Sequence, residues 1–107
     1  MGIYKEVNEK DWKLFRSRVP SWQETYMEKL VNEYMELLSG DEMASKKFWK
    51  LENRLFHDKK HPGVILEMRR SLMLYNMIDL FQMNVICEED LEGFSTELIE
   101  EIRKSVV

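Results

Sequence analysis

The sequence predicts an all-α protein, an irregular up-and-down bundle of about five helices with a central, hydrophobic fourth helix. Three observations carry this. Only four Gly and two Pro interrupt 107 residues, whereas a β-rich domain of that size needs many glycine- or asparagine-containing turns. Apolar residues recur at steps of three and four, the period of an amphipathic helix. Capping spacings mark where such helices begin. One hydrophobic core is what a chain of this length sustains, so residues 1–107 read as a single helical domain.

Asn8 followed by Asp11 has the capping-box spacing and opens a first helix over about 9–18, which Pro20 then stops. Ser21 with Glu24 repeats the spacing and opens a second helix that ends at Ser39, with Gly40 expected in a left-handed turn. Trp22, Tyr26, Leu30, Tyr34, Leu37 and Leu38 give that helix one apolar side. A third helix, capped by Asp41 or Ser45, runs to about Lys60 with Phe48, Leu51, Leu55 and Phe56 inward and Trp49 at the edge. A fourth is expected from Pro62 to about Met83, apolar in nearly every direction, with Asn84 as its left-handed terminator. A short acidic turn over Glu88 to Leu91 and a last helix capped by Ser95, with Leu98, Ile99 and Ile102 inward, complete the chain. Short connections make sequential helices antiparallel neighbours.

Composition narrows the function classes. Cys87 is the single cysteine, so no internal disulfide framework exists and a cytoplasmic, reducing setting is expected. The start "MGIYKEVNEKDW" has charge where a leader's apolar stretch belongs, and Glu6 stands where N-myristoylation expects Ser or Thr. The most apolar run, Leu72 to Cys87, is broken by Asn76, Asp79, Gln82 and Asn84 and is shorter than the roughly 20 residues of a membrane span, so no membrane insertion is expected.

The stretch "FHDKKHPGV" holds both histidines, His57 and His61, four apart. On an unbroken helix they would share a face and could hold a metal ion or serve as an acid–base pair. Pro62 disfavours helix at His61, no further ligands stand at zinc spacing, and neither nucleophile nor glycine loop accompanies the pair. The reading is therefore no metal, no cofactor and no catalytic residue, with an enzyme or metal protein at His57 and His61 as the third-ranked function.

Charge is the stronger signal. Residues 46–70 carry eight Lys or Arg against Glu52, Asp58 and Glu67, a net of +5, while the remaining 82 residues carry −9. Lys46, Lys47, Lys50, Arg54 and His57 share one side of the third helix, and Lys59, Lys60, Arg69 and Arg70 extend that basic surface. It suits an acidic protein surface or a phosphate backbone, or it is a solvated face partly neutralised by acids of the neighbouring helix. Against nucleic acid stand the pI near 5.3 and the lack of a helix-turn-helix pattern. Twelve aromatics and eight Met, among them Trp49, Phe56, Met68, Met73, Met77 and Met83, serve either core or adaptable contact surface. Asn76 and Asp79, if buried, must be paired. The leading expectation is a non-catalytic interaction or regulatory protein that binds a protein partner or itself through the basic face or an aromatic and Met-containing surface. A nucleic-acid binder using the 46–70 segment is the alternative.

"KDWKLFRSRVPSWQE", "HPGVILEMRR" and "DLEGFSTEL" together resemble a group of small all-helical bacterial proteins that sometimes carry a multidrug transporter label. The resemblance implies a bacterial all-helical fold and transfers no functional residue, and with no spanning segment in the chain the label is not carried over.

Overall fold

A computed structural model describes residues 7–106. Within them the chain forms four α-helices: α1 (Glu9–Ser39), α2 (Ala44–Asp58), α3 (Met73–Gln82) and α4 (Thr96–Lys104), with 3-10 turns at Arg70–Leu72 and Glu88–Leu91. No strand occurs among the described residues.

The largest departure from expectation is α1, which runs through Pro20 as one 31-residue helix. A proline inside a helix costs about 3 kcal/mol through its missing N–H and its clash with the preceding turn. Here Trp12, Phe15, Val19 and Trp22 form one unbroken buried stripe that spans the proline, while Pro20 itself lies on the exposed side. Each such side chain contributes about 1.5–3 kcal/mol on burial, and the stripe stays in register only if the helix continues. The expected restart at Ser21 does not occur.

The expected fourth helix is also cut down. Val64 and Ile65 both donate to the His61 carbonyl in a single turn, and the chain then runs without helix to Arg69. Asn76, buried on α3, donates its side-chain amide to the Glu67 carbonyl at 3.0 Å and holds that segment in place. What remains, α3, has ten residues and one buried face of Met73, Asn76, Met77 and Leu80, with Tyr75 and Asp79 exposed. It is not a central helix enclosed on all sides.

Local end signals fare better. Asn8 accepts from the Lys10 and Asp11 amides, Ser95 accepts from the Leu98 amide, and Asn84 adopts φ 61° after α3. Gly40 is extended, with φ −71°, rather than left-handed, and α2 begins after Met43 with no capping side chain from Asp41 or Ser45. Asp11 does not reach back to Asn8. Buried at 2% exposure, it crosses to α4 and accepts from the Ser95 amide at 2.8 Å and the Ser95 hydroxyl at 2.5 Å, so the carboxylate sits at the positive end of α4.

The core joins the first half of α1 to α3, the acidic turn and α4 through Trp12, Phe15, Val19, Trp22, Met73, Met77, Leu80, Ile86, Leu91, Phe94, Leu98 and Ile102. Arg18 clamps the connection before α4, donating to the Asp90 and Glu92 carbonyls. The second half of α1 and all of α2 stand outside this cluster as a helical hairpin, giving a molecule of 55 × 27 × 22 Å.

Candidate functional site

The hairpin is antiparallel, as its cross-links show. Arg54 donates to Glu33 at 2.6 Å, Tyr34 donates to Asp58 at 2.6 Å, and Gln23 reaches the Pro62 carbonyl at 3.1 Å. At the base the His61 ring stacks on Tyr26 with centroids 4.6 Å apart, and Gly63 lies so close that a Cβ there would fall 2.3 Å from the Tyr26 ring. Desolvation holds His61 below its ordinary pKa, partly opposed by Asp58. Tyr34, desolvated and bonded to Asp58, is pushed up to about 12.

Which residues face across the hairpin decides what its outer sides present. On α1 the more buried positions are Leu30, Glu33, Tyr34 and Leu37, and on α2 they are Lys47, Leu51, Arg54 and Asp58. One step further along the chain, about 100° round each helix, come Val31, Met35 and Leu38 on α1 and Phe48, Glu52 and Leu55 on α2, with Lys59 as its C-cap. In antiparallel helices equal rotations of the same sense lead to the same side. Val31, Met35, Leu38, Phe48 and Leu55 therefore form one continuous apolar face, with Phe56 and Trp49 at its edge, each between 45% and 64% exposed. No residue of α2 is buried.

The other side is the charged one. One step before the facing positions come Lys46, Lys50 and His57 on α2 and Lys29, Glu33 and Glu36 on α1. The predicted basic stripe thus lies beside acids and is partly neutralised. Arg54 meets Glu33 and Asp58, Lys50 meets Glu42, Arg69 meets Glu67 and Arg70 meets Glu9. Lys47 turns toward the α1 seam, Lys59 and Lys60 lie over the Phe56 ring, and Arg70 lies over Trp12 in the body. The nine predicted positions are divided among arm, base and body.

The histidines separate as well. His57 is exposed with the Phe56 ring edge-on beside it, while His61 turns back onto Tyr26 and its Nδ1 accepts from the Gly63 amide at 3.0 Å. Among the described residues no three His, Cys, Asp or Glu side chains are grouped to hold a metal ion. Cys87 is exposed, and donation from its thiol to Glu89 and Asp90 raises its pKa, which disfavours the reactive thiolate.

Phe48, Leu55 and Phe56, expected inward from their spacing, stand exposed, and Val31 and Met35, which no sequence pattern marks, join the same face. The apolar periodicity of α2 was visible; what covers that side was not encoded in its spacing. The aromatics divide accordingly, Trp12, Phe15 and Trp22 into the core, Trp49 and Phe56 onto the surface.

Fold and surface together define an all-helical protein whose body carries a projecting two-helix arm with one apolar and one charged side. Among the described residues no helix is long and apolar enough to cross a membrane. The chain matches no family model, no curated protein and no solved structure.

Proposed function

We propose that the protein is a non-catalytic interaction module that binds another protein through the apolar side of its hairpin arm. The observation that carries this reading is that α2 buries none of its residues while Phe48, Trp49, Leu55 and Phe56 stand in solvent. A whole aromatic side chain presents about 150–250 Å² and an aliphatic one less, so the half-exposed Val31, Met35, Leu38, Phe48, Leu55 and Phe56 present on the order of 500 Å² of apolar surface, in the upper part of what a typical monomer leaves open. The largest such patch on a monomer is often functional, and aromatic and Met side chains are the kinds enriched at contact sites.

The basic side supports binding less well, because Lys50 and Arg54 on it are already met by carboxylates at the surface, which a phosphate backbone would have to displace. In this reading the protein works in a reducing compartment such as the cytoplasm, where the exposed Cys87 persists as a thiol.

The test is site-specific photo-crosslinking in host cells, with a benzophenone amino acid at Phe48 on the apolar side or at Lys50 on the charged side. Protein adducts from position 48 and none from position 50 are expected. Adducts from position 50 alone, or a low-salt nucleic-acid gel shift abolished by Lys50→Glu with Arg54→Glu, would overturn the reading.

A further inference from the structure

We infer that the occupant of the apolar arm face is a second copy of this chain, packed antiparallel so that two hairpins close into a four-helix bundle. This rests on the reading above and adds the identity of the partner. Three features of the face point to it.

First, the face is built to be self-complementary in charge. Its α2 side carries two ionic groups, Glu52 and the C-cap Lys59, seven residues apart on the same line as Phe48 and Leu55. A two-fold axis perpendicular to the helices and midway between these groups crosses α2 between Leu55 and Phe56. It sets Glu52 of each copy against Lys59 of the other, so both charges are paired, and it brings Leu55 of each copy level with Phe56 of the other, while Phe48 comes level with the other copy's turn at Gly63.

Second, the same axis suits α1 independently. Glu33 pairs with Arg54 and Tyr34 with Asp58, so the level of Leu55 and Phe56 on α2 is the level of Glu33 and Tyr34 on α1. That point is midway between Val31 and Met35, and the axis therefore packs Val31 of each copy on Met35 of the other. The alternative two-fold, parallel to the helices, lays the Glu52 carboxylate over Met35 and Leu38, an unpaired charge on an apolar surface.

Third, the area is of the right order. Complete coverage of about 500 Å² on each copy would give about 1,000 Å² in total, the least a specific interface should clear, and an isologous contact of this kind closes as a dimer rather than extending into fibres. Two hairpins stacked at helix-packing distance reproduce a four-helix bundle, in which the side of α2 left bare in the single copy becomes core.

Sedimentation equilibrium of the purified full chain, from micromolar to near-millimolar concentration, tests this. A monomer–dimer equilibrium is expected. Glu52→Lys and Lys59→Glu should each weaken it about tenfold or more through like-charge contacts, and the double exchange should return it to within about threefold of wild type. Leu55→Asp should leave a monomer with unchanged helical circular dichroism and the thermal midpoint of the dilute wild-type chain, since all three side chains are exposed. A chain that stays monomeric throughout, a dimer indifferent to Leu55→Asp, or a double exchange that fails to restore association would each overturn the inference. In the first case photo-crosslinks from Phe48 to a different protein would show the interaction reading to stand with another partner, and their absence would remove both.

Discussion

Replacing Asp11 with Ala should be among the most damaging single changes in the body. Its carboxylate accepts two hydrogen bonds from Ser95, at 2.8 Å from the amide and 2.5 Å from the hydroxyl. Hydrogen bonds to a charged group contribute about 1.5–3 kcal/mol each, and the carboxylate at a helix N-terminus adds about 0.3–1 kcal/mol. The hydroxyl can turn to other acceptors, whereas the amide of Ser95, the N-cap of α4, is left without its partner. The expected loss is therefore about 2–4 kcal/mol, a large part of the roughly 5–15 kcal/mol that stabilises a domain of this size. Urea unfolding followed by circular dichroism measures it directly. A double-mutant cycle with Ser95→Ala should give a coupling of at least about 1 kcal/mol. A loss below about 0.5 kcal/mol, or strict additivity with Ser95→Ala, would refute the claim that this pair holds α4 to α1.

Three further outcomes follow from the arm and its base. Gly63→Ala places a Cβ against the Tyr26 ring and should cost about 1–3 kcal/mol in thermal or urea unfolding; in a Tyr26→Leu background the same change should cost markedly less. His61 has a folded pKa below its unfolded value of 6.5, so its contribution is complete above about pH 6.5 and is lost as pH falls through the folded pKa. Protonation puts a hydrogen on the Nδ1 that now accepts from Gly63. The thermal midpoint of wild type minus that of His61→Phe should accordingly shrink on acidification, and a difference independent of pH would contradict the assignment. Phe15→Ala, at a buried position, should cost about 3–5 kcal/mol, whereas Phe48→Ala in the dilute protein should cost under about 0.5 kcal/mol; comparable losses would mean that α2 is packed on the body after all.

What could be read from the sequence was what is decided locally. Asn8 and Ser95 cap helices because a short polar side chain satisfies free amides wherever a helix starts, and Asn84 takes the left-handed turn few other residues accept. The errors come where packing overrules local preference. Pro20 signals a break, yet the buried stripe from Trp12 to Trp22 holds α1 straight through it. The apolar "HPGVILEM" has helical composition, yet Gly63 against Tyr26 and Asn76 holding Glu67 fix it as turn and extended chain. The site shows the same division. The charged and apolar sides of α2 were legible from its period, but α2 meets α1 along the seam between them, through Lys47, Leu51, Arg54 and Asp58. No wheel of a single helix shows which of its sides the neighbour takes, and so the apolar side assigned to the core is the one left open.

Hydrogen–deuterium exchange of α2 at low and high protein concentration shows whether that helix is covered, because amide protection follows burial. Residues 44–58 should exchange far faster than the core helices α3 and α4 in the dilute chain, and their protection should rise with concentration in wild type but not in Leu55→Asp. Protection of α2 equal to that of the core at every concentration, unchanged by Leu55→Asp, would mean that its apolar side is already buried within one copy and that no open face exists for a partner.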